Sequence, residues 1–271
     1  MRLLQQLYNV YVNASIHVGL AVSALLLVSE LELGLSPAWG LVALLFFSTV
    51  VSYNLVKYGG YLKNGVEELP VERSLLLAIS ALSALMAALL FLQQAAGVRY
   101  ILLAAAILTY LYGFPFGGGR SLRALKGLKI FIVALVWAMV TVLVPWLAAV
   151  VAIESSIWPV FCQRILAVVL LTIPFEIRDM DRDDRSLGTM PQWLGVKGAK
   201  WLGTLFAILY TIIQFFRFDL DPGQHLASLT FIALALVMLW LSRRNSTHHF
   251  TAFWVESLPL LWLAMLYFLG N

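Results

Sequence analysis

Apolar residues in this chain run in long, nearly unbroken stretches, with the polar residues gathered between them. Nine such stretches centre on residues 8–29, 38–58, 74–93, 98–115, 129–150, 156–175, 200–217, 225–242 and 250–269. Each has roughly 18–22 residues, which as a helix at 1.5 Å per residue crosses about 30 Å of hydrocarbon. The pattern predicts an all-α, polytopic membrane protein with nine transmembrane helices and 1–271 as a single domain. No small-residue cleavage site follows the first stretch, so it reads as a retained helix. Its Asn9, Asn13 and His17 recur every fourth residue. They must face protein or a cavity, as a chamber wall or as a helix–helix hydrogen bond.

Composition agrees: 62% of the 271 residues are hydrophobic and only 12% are charged, about half the charged share of a soluble domain. That excludes a nucleic-acid-binding class and names the lipid bilayer as the chain's solvent. Cys162 is the single cysteine, so no internal disulfide is available. Fifteen of the 18 Lys and Arg residues fall at the N-terminus or in the loops after the second, fourth, sixth and eighth stretches. That bias predicts a cytoplasmic N-terminus and a C-terminus on the opposite side. Arg164 and Glu256 are intramembrane charges, away from the ends of their stretches. They differ in depth by about 12 Å and are not expected to pair, whereas Gln214 lies nearer Arg164 in depth.

The chemistry gathers in three loop regions on the basic side, about 54–73, 113–129 and 175–200. The third opens with "FEIRDMDRDDRSLGTMPQWLG", from Phe175 to Gly195. Glu176, Asp179 and Asp183 share one helix face at i, i+3 and i+7. Three carboxylates on one face need positive charge between them. Neighbouring arginines meet that need, and so does a hard cation such as magnesium. Asn54–Pro70 and Phe175–Pro191 have equal spacing and both leave an apolar stretch on the same side, a hint of internal duplication.

The third region resembles the second aspartate-rich motif of the UbiA superfamily of intramembrane prenyltransferases. Asp179 and Asp183 stand at its spaced aspartates, followed by Gly188, Thr189, Pro191, Leu194 and Gly195. The resemblance implies nine helices around a central lipid-open cavity. It implies magnesium held by Asp179 and Asp183, with Glu176 as a third ligand or a group behind them. The region after the second stretch departs from the family pattern. Asn54 matches, but Leu55, Tyr58 and Leu62 stand where aspartates belong, and the next acids are Glu67 and Glu68.

Lys57 lies in that altered region, and three readings of it stay open. It replaces a metal ion at the diphosphate, with one magnesium kept instead of two. It pairs with Asp179 or Asp183 and closes the site. Or it reaches to the headgroups, as lysines at helix ends do. The region after the fourth stretch adds Tyr110, Tyr112, Arg120, Arg123, Lys126 and Lys129, which resemble a tyrosine–basic segment near the diphosphate.

The implied function is transfer of a prenyl group from a prenyl diphosphate to a lipophilic, often aromatic, acceptor, with magnesium assisting diphosphate departure. Lys57, Arg120 and Lys126 would meet phosphate oxygens. Asn54 and Tyr58 would shape the site, and Asn13 and His17 would wall the chamber. The alternative is a non-catalytic homologue that binds an isoprenoid or pigment, or a subunit of a membrane complex.

Overall fold

The computed structural model describes residues 2–64, 72–114, 122, 125, 127–149, 155–184 and 187–270, with the side chains of 2–4 and 60–64 outside that description. Among them are eleven α-helices and no strand: α1 (Arg2–Asn13), α2 (Ile16–Glu32), α3 (Trp39–Asn64), α4 (Arg73–Leu92), α5 (Ala96–Gly113), α6 (Lys129–Ala138), α7 (Val144–Ala149), α8 (Ile157–Asp179), α9 (Met190–Phe215), α10 (Pro222–Leu241) and α11 (Leu258–Leu269). Two π-helical turns, Met139–Leu143 and Phe250–Val255, lead into α7 and α11. Eight helices among the described residues are long and apolar enough to cross a membrane. The bent pair α1–α2 is a ninth if counted as one span. The protein is a multi-pass, all-α membrane protein.

The first span departs from the expected single helix. It breaks at Ala14–Ser15 and bends by 56°. Ser15 has φ 63°, in the left-handed region that side chains other than glycine adopt at a cost. The break frees carbonyls at the end of α1. The Tyr58 hydroxyl of α3 donates to one of them, Asn13 O, at 2.8 Å. The seventh span also begins earlier than the apolar pattern predicts. Thr189 caps α9, its N–H donating to Gln192 Oε1 at 2.9 Å, and Pro191 sits in the first turn, where no N–H is needed. Gly195, at φ 69°, then kinks the helix. The Gly-Thr-Met-Pro segment is thus a helix start.

α8 is the spine of the bundle and packs against α6, α9 and α10. In a bilayer, helices associate through close packing more than through water exclusion. Gly203 of α9 permits that packing: a Cβ there would lie 2.5 Å from Leu239 and 3.1 Å from Ile173. Further along the interface Phe231 stacks on Trp262 at 4.2 Å, with Tyr210 beside both.

A buried polar network ties the end of the bundle where α2 finishes. Arg217, after α9, reaches Glu32 Oε2 at 3.5 Å and Asp219 at 2.8 Å. Ser228 donates to Glu32 Oε1 at 2.9 Å. Gln163 joins Gln214 at 2.7 Å, and Gln214 contacts His225. Arg164 does not meet Gln214. It donates to Ser29 Oγ at 2.8 Å and lies over the Trp262 ring, with Nε and Nη1 unbonded among the described residues.

Candidate functional site

A cavity of about 520 Å3 opens between α3, α4, α5 and α6, with Val22 of α2 at its edge. That is within the size range of small-molecule sites. Its walls are mostly aliphatic: Leu44, Leu45, Ala87, Ala106, Val136 and Trp137 are typical. Its polar groups are few. Lys57 lies on its lining with Tyr53 one turn away, the ammonium 5.7 Å from the Tyr53 ring centroid. Tyr112 and Thr109 contribute from α5.

Lys57 donates to Ser15 Oγ at 3.3 Å, at the bend of the first span. It forms no ion pair with Asp179 or Asp183 among the described residues, so the reading in which it closes the site against either one is corrected. Those acids have nearer cations. Arg178 holds Asp179 through both carboxylate oxygens, at 2.7 and 2.6 Å. Lys129 of α6 lies 3.1 Å from Asp183 and 3.8 Å from Glu176. Glu176 is 4% exposed, and its second oxygen accepts the Met190 N–H at 3.2 Å. A helix N-terminus is a favourable place for a carboxylate.

The other expected site residues divide. Asn54 is buried, donating to Ser80 Oγ at 3.0 Å, with its Oδ1 unbonded among the described residues. Tyr58 is buried against the α1 end. Asn13 is half-buried and takes the Tyr58 bond on its carbonyl. His17 is buried and engaged at both nitrogens, by Tyr11 at 2.7 Å and by Phe253 O at 3.0 Å, so it acts as a helix–helix tie. Tyr112 reaches the cavity, whereas Tyr110 is 57% exposed and stacks on Phe114. Arg120, Arg123, Lys126, Glu67 and Glu68 lie outside the described residues.

No family model matches the chain, and no curated protein matches it in sequence. A solved structure of digeranylgeranylglyceryl phosphate synthase in membranes is similar to it, with a TM-score of 0.58 over 98% of each chain and 15% sequence identity. The chain shares the fold of that synthase. In this fold the first and third loop regions begin on α3 and at the end of α8. α3 brings an ammonium to the cavity in place of carboxylates. The acids at the end of α8 and just after it are engaged by Arg178, Lys129 and the α9 N-terminus. Among the described residues no three His, Cys, Asp or Glu side chains come together to hold a metal. A magnesium centre needs carboxylate oxygens that face it; among the described residues those of Asp179, Asp183 and Glu176 face Arg178, Lys129 and the Met190 N–H.

Sequence reasoning missed the role of Arg178 as the partner of Asp179. Arg178 also donates to Thr251 Oγ, ahead of α11, which fixes it at the junction of α8 and the last span. Glu256 sits just after the π-helical turn that Arg178 fastens.

Proposed function

We propose that this protein binds a prenyl diphosphate with its isoprenoid chain in the α3–α6 cavity and its diphosphate at the Lys57 end, and transfers the prenyl group to a lipophilic acceptor. One observation carries this reading. An apolar cavity ends at an ammonium that has no carboxylate partner among the described residues. An ammonium is a compact point charge suited to a phosphate oxygen, and it stabilises the negative charge that grows as diphosphate departs. The aliphatic walls keep water from the allylic cation. Arg120, Arg123 and Lys126 would add positive charge from the segment before α6. The basic-residue bias supports a cytoplasmic position for this end and for the N-terminus. The magnesium implied by the motif is not used in this reading, because the acids that would hold it are already paired.

A second reading, isoprenoid binding without turnover, draws on that same pairing of Asp179, Asp183 and Glu176. The two separate in one experiment on the full chain in lipid nanodiscs. A non-hydrolysable prenyl thiodiphosphate is titrated with and without magnesium, and a radiolabelled allylic prenyl diphosphate is then offered with lipophilic phenols. Binding that weakens in Lys57→Ala, together with labelled product, supports the transferase. Binding without product supports the carrier. Absence of binding overturns both.

A further inference from the structure

We propose that Ser48, Thr49 and Ser52 of α3 bind an oxygenated ring, the acceptor of the proposed transfer, and that this ring carries two oxygens about one helical turn apart. The inference rests on the transferase reading above and names the second substrate of the same cavity.

The cavity is two-faced. α4, α5 and α6 line it with apolar side chains, Phe91, Leu102, Leu103, Val133 and Val136 among them, whereas α3 lines it with Ser48, Thr49, Ser52 and Tyr53 below Lys57. Spacing produces this row. Ser48 and Ser52 are four residues apart, and so are Thr49, Tyr53 and Lys57, which makes two adjoining columns on one helix face. The columns form two rungs. Ser52 lies about 7.5 Å along the axis from Lys57, and Ser48 about 13.5 Å.

Helix hydroxyls elsewhere in the bundle turn back on their own backbone. Ser80, Thr109, Thr204, Thr211 and Thr230 each donate to the carbonyl four residues earlier. Ser48, Thr49 and Ser52 make no such bond, and no other among the described residues, although Thr49 is buried and the two serines are half-buried. A hydroxyl facing an apolar cavity costs free energy unless something pairs with it. A hydrocarbon tail cannot do so, and it fits the aliphatic faces of α4, α5 and α6. An oxygenated ring can. The side chains of Ser48 and Ser52 start about 5–6 Å apart, close to the separation of oxygens on opposite carbons of a six-membered ring. Each hydroxyl can donate to a carbonyl or phenol oxygen and accept from a phenol. Aromatic faces stand beside the upper rung: Tyr53 and Trp137 both line the cavity, with ring centroids 6.4 Å apart. That rung is the nearer to Lys57, so it holds the ring beside the carbon that diphosphate leaves.

The test uses the full chain in nanodiscs with saturating thiodiphosphate analogue, and empty nanodiscs as the blank. Trimethylhydroquinone, kept reduced, is titrated against 2,3,5-trimethylphenol, which lacks one of its oxygens. Wild type is expected to bind the hydroquinone about 10-fold more tightly, and Ser48→Ala, Thr49→Val and Ser52→Ala are each expected to cut that preference roughly 3–10-fold. Analogue binding stays within about threefold of wild type, and Ser52→Thr keeps the preference. In turnover the variants raise the KM for the hydroquinone more than they lower kcat. A wild type that binds both rings equally overturns the proposal and leaves the transferase reading intact; this outcome needs no variant to fold. Variants that weaken analogue and hydroquinone alike, or that lower the unfolding midpoint without changing the preference, mark these hydroxyls as packing groups and also overturn it. A retained preference without labelled product supports the ring site and overturns the transferase reading. A wild type that binds no analogue overturns both.

Discussion

Lys129→Met removes one cation from between two acids, and the size of its effect is set by the geometry. Lys129 lies 3.1 Å from Asp183 and 3.8 Å from Glu176, and all three side chains are mostly buried. At an effective dielectric constant of about 20, those contacts amount to about 5 and 4 kcal/mol of gross attraction. Desolvation of the three groups offsets much of this in the intact protein. Removing only the lysine leaves both acids desolvated and without the cation that lies between them. The expected loss is therefore about 3–5 kcal/mol, the range for breaking a buried pair from one side. Asp183→Asn keeps the Lys129–Glu176 contact and is expected to cost about 1–3 kcal/mol. The double variant leaves only Glu176 uncompensated, and Glu176 retains the Met190 N–H. The two losses should therefore overlap by about 0.5–3 kcal/mol. Denaturant unfolding in mild detergent, followed by helical circular dichroism, gives all four corners of the cycle. Lys129→Met within about 0.5 kcal/mol of wild type, or strictly additive losses, would refute the argument.

Four further outcomes are expected. Arg217→Met strands the buried carboxylate of Glu32 and should cost about 3–5 kcal/mol, whereas Arg164→Met removes a guanidinium with two unbonded nitrogens and should be neutral or stabilising in the same unfolding assay. Gly223→Ala places a Cβ 1.7 Å from the Leu269 carbonyl, so the α10 start and the α11 end must separate; a loss of about 1–3 kcal/mol should appear as a lower unfolding midpoint. Ala106→Trp fills the α3–α6 cavity and should abolish binding of the prenyl thiodiphosphate while leaving the helical signal unchanged. Asp219 is held below its ordinary 3.8, first by hydrogen bonds from Arg217 against the opposing effect of burial. Its stabilising effect is full above that value and is lost as pH falls through the lower folded one; Asp219→Asn should flatten this limb of a stability–pH curve.

The spans were legible because a membrane helix needs about 20 apolar residues, and nothing else in the sequence imitates that. The break at Ser15 was not. Asn9, Asn13 and His17 keep one helical period across it, and no glycine marks the left-handed residue. The order of the loop acids was legible, but their partners were not. Arg178 is adjacent to Asp179 in sequence, whereas Lys129 comes from a helix 54 residues away. The Gly-Thr-Met-Pro segment reads equally as a motif and as a helix cap, and its hydrogen bonds make it a cap.

The network around Glu32 has a consequence for biogenesis. Glu32 is made early, at the end of the first span, and its cation Arg217 is made 185 residues later. A ribosome-bound fragment that stops before Arg217 carries this acid at the membrane boundary without its principal counter-charge. α8 enters with Arg164, and a central arginine weighs against insertion by about 2.5–3.5 kcal/mol. Ser29 is already in place to receive it, but the Trp262 ring arrives only with the final helix. The early spans therefore assemble around charges whose compensation is still unsynthesised, and premature termination before α11 leaves a product exposed to membrane quality control.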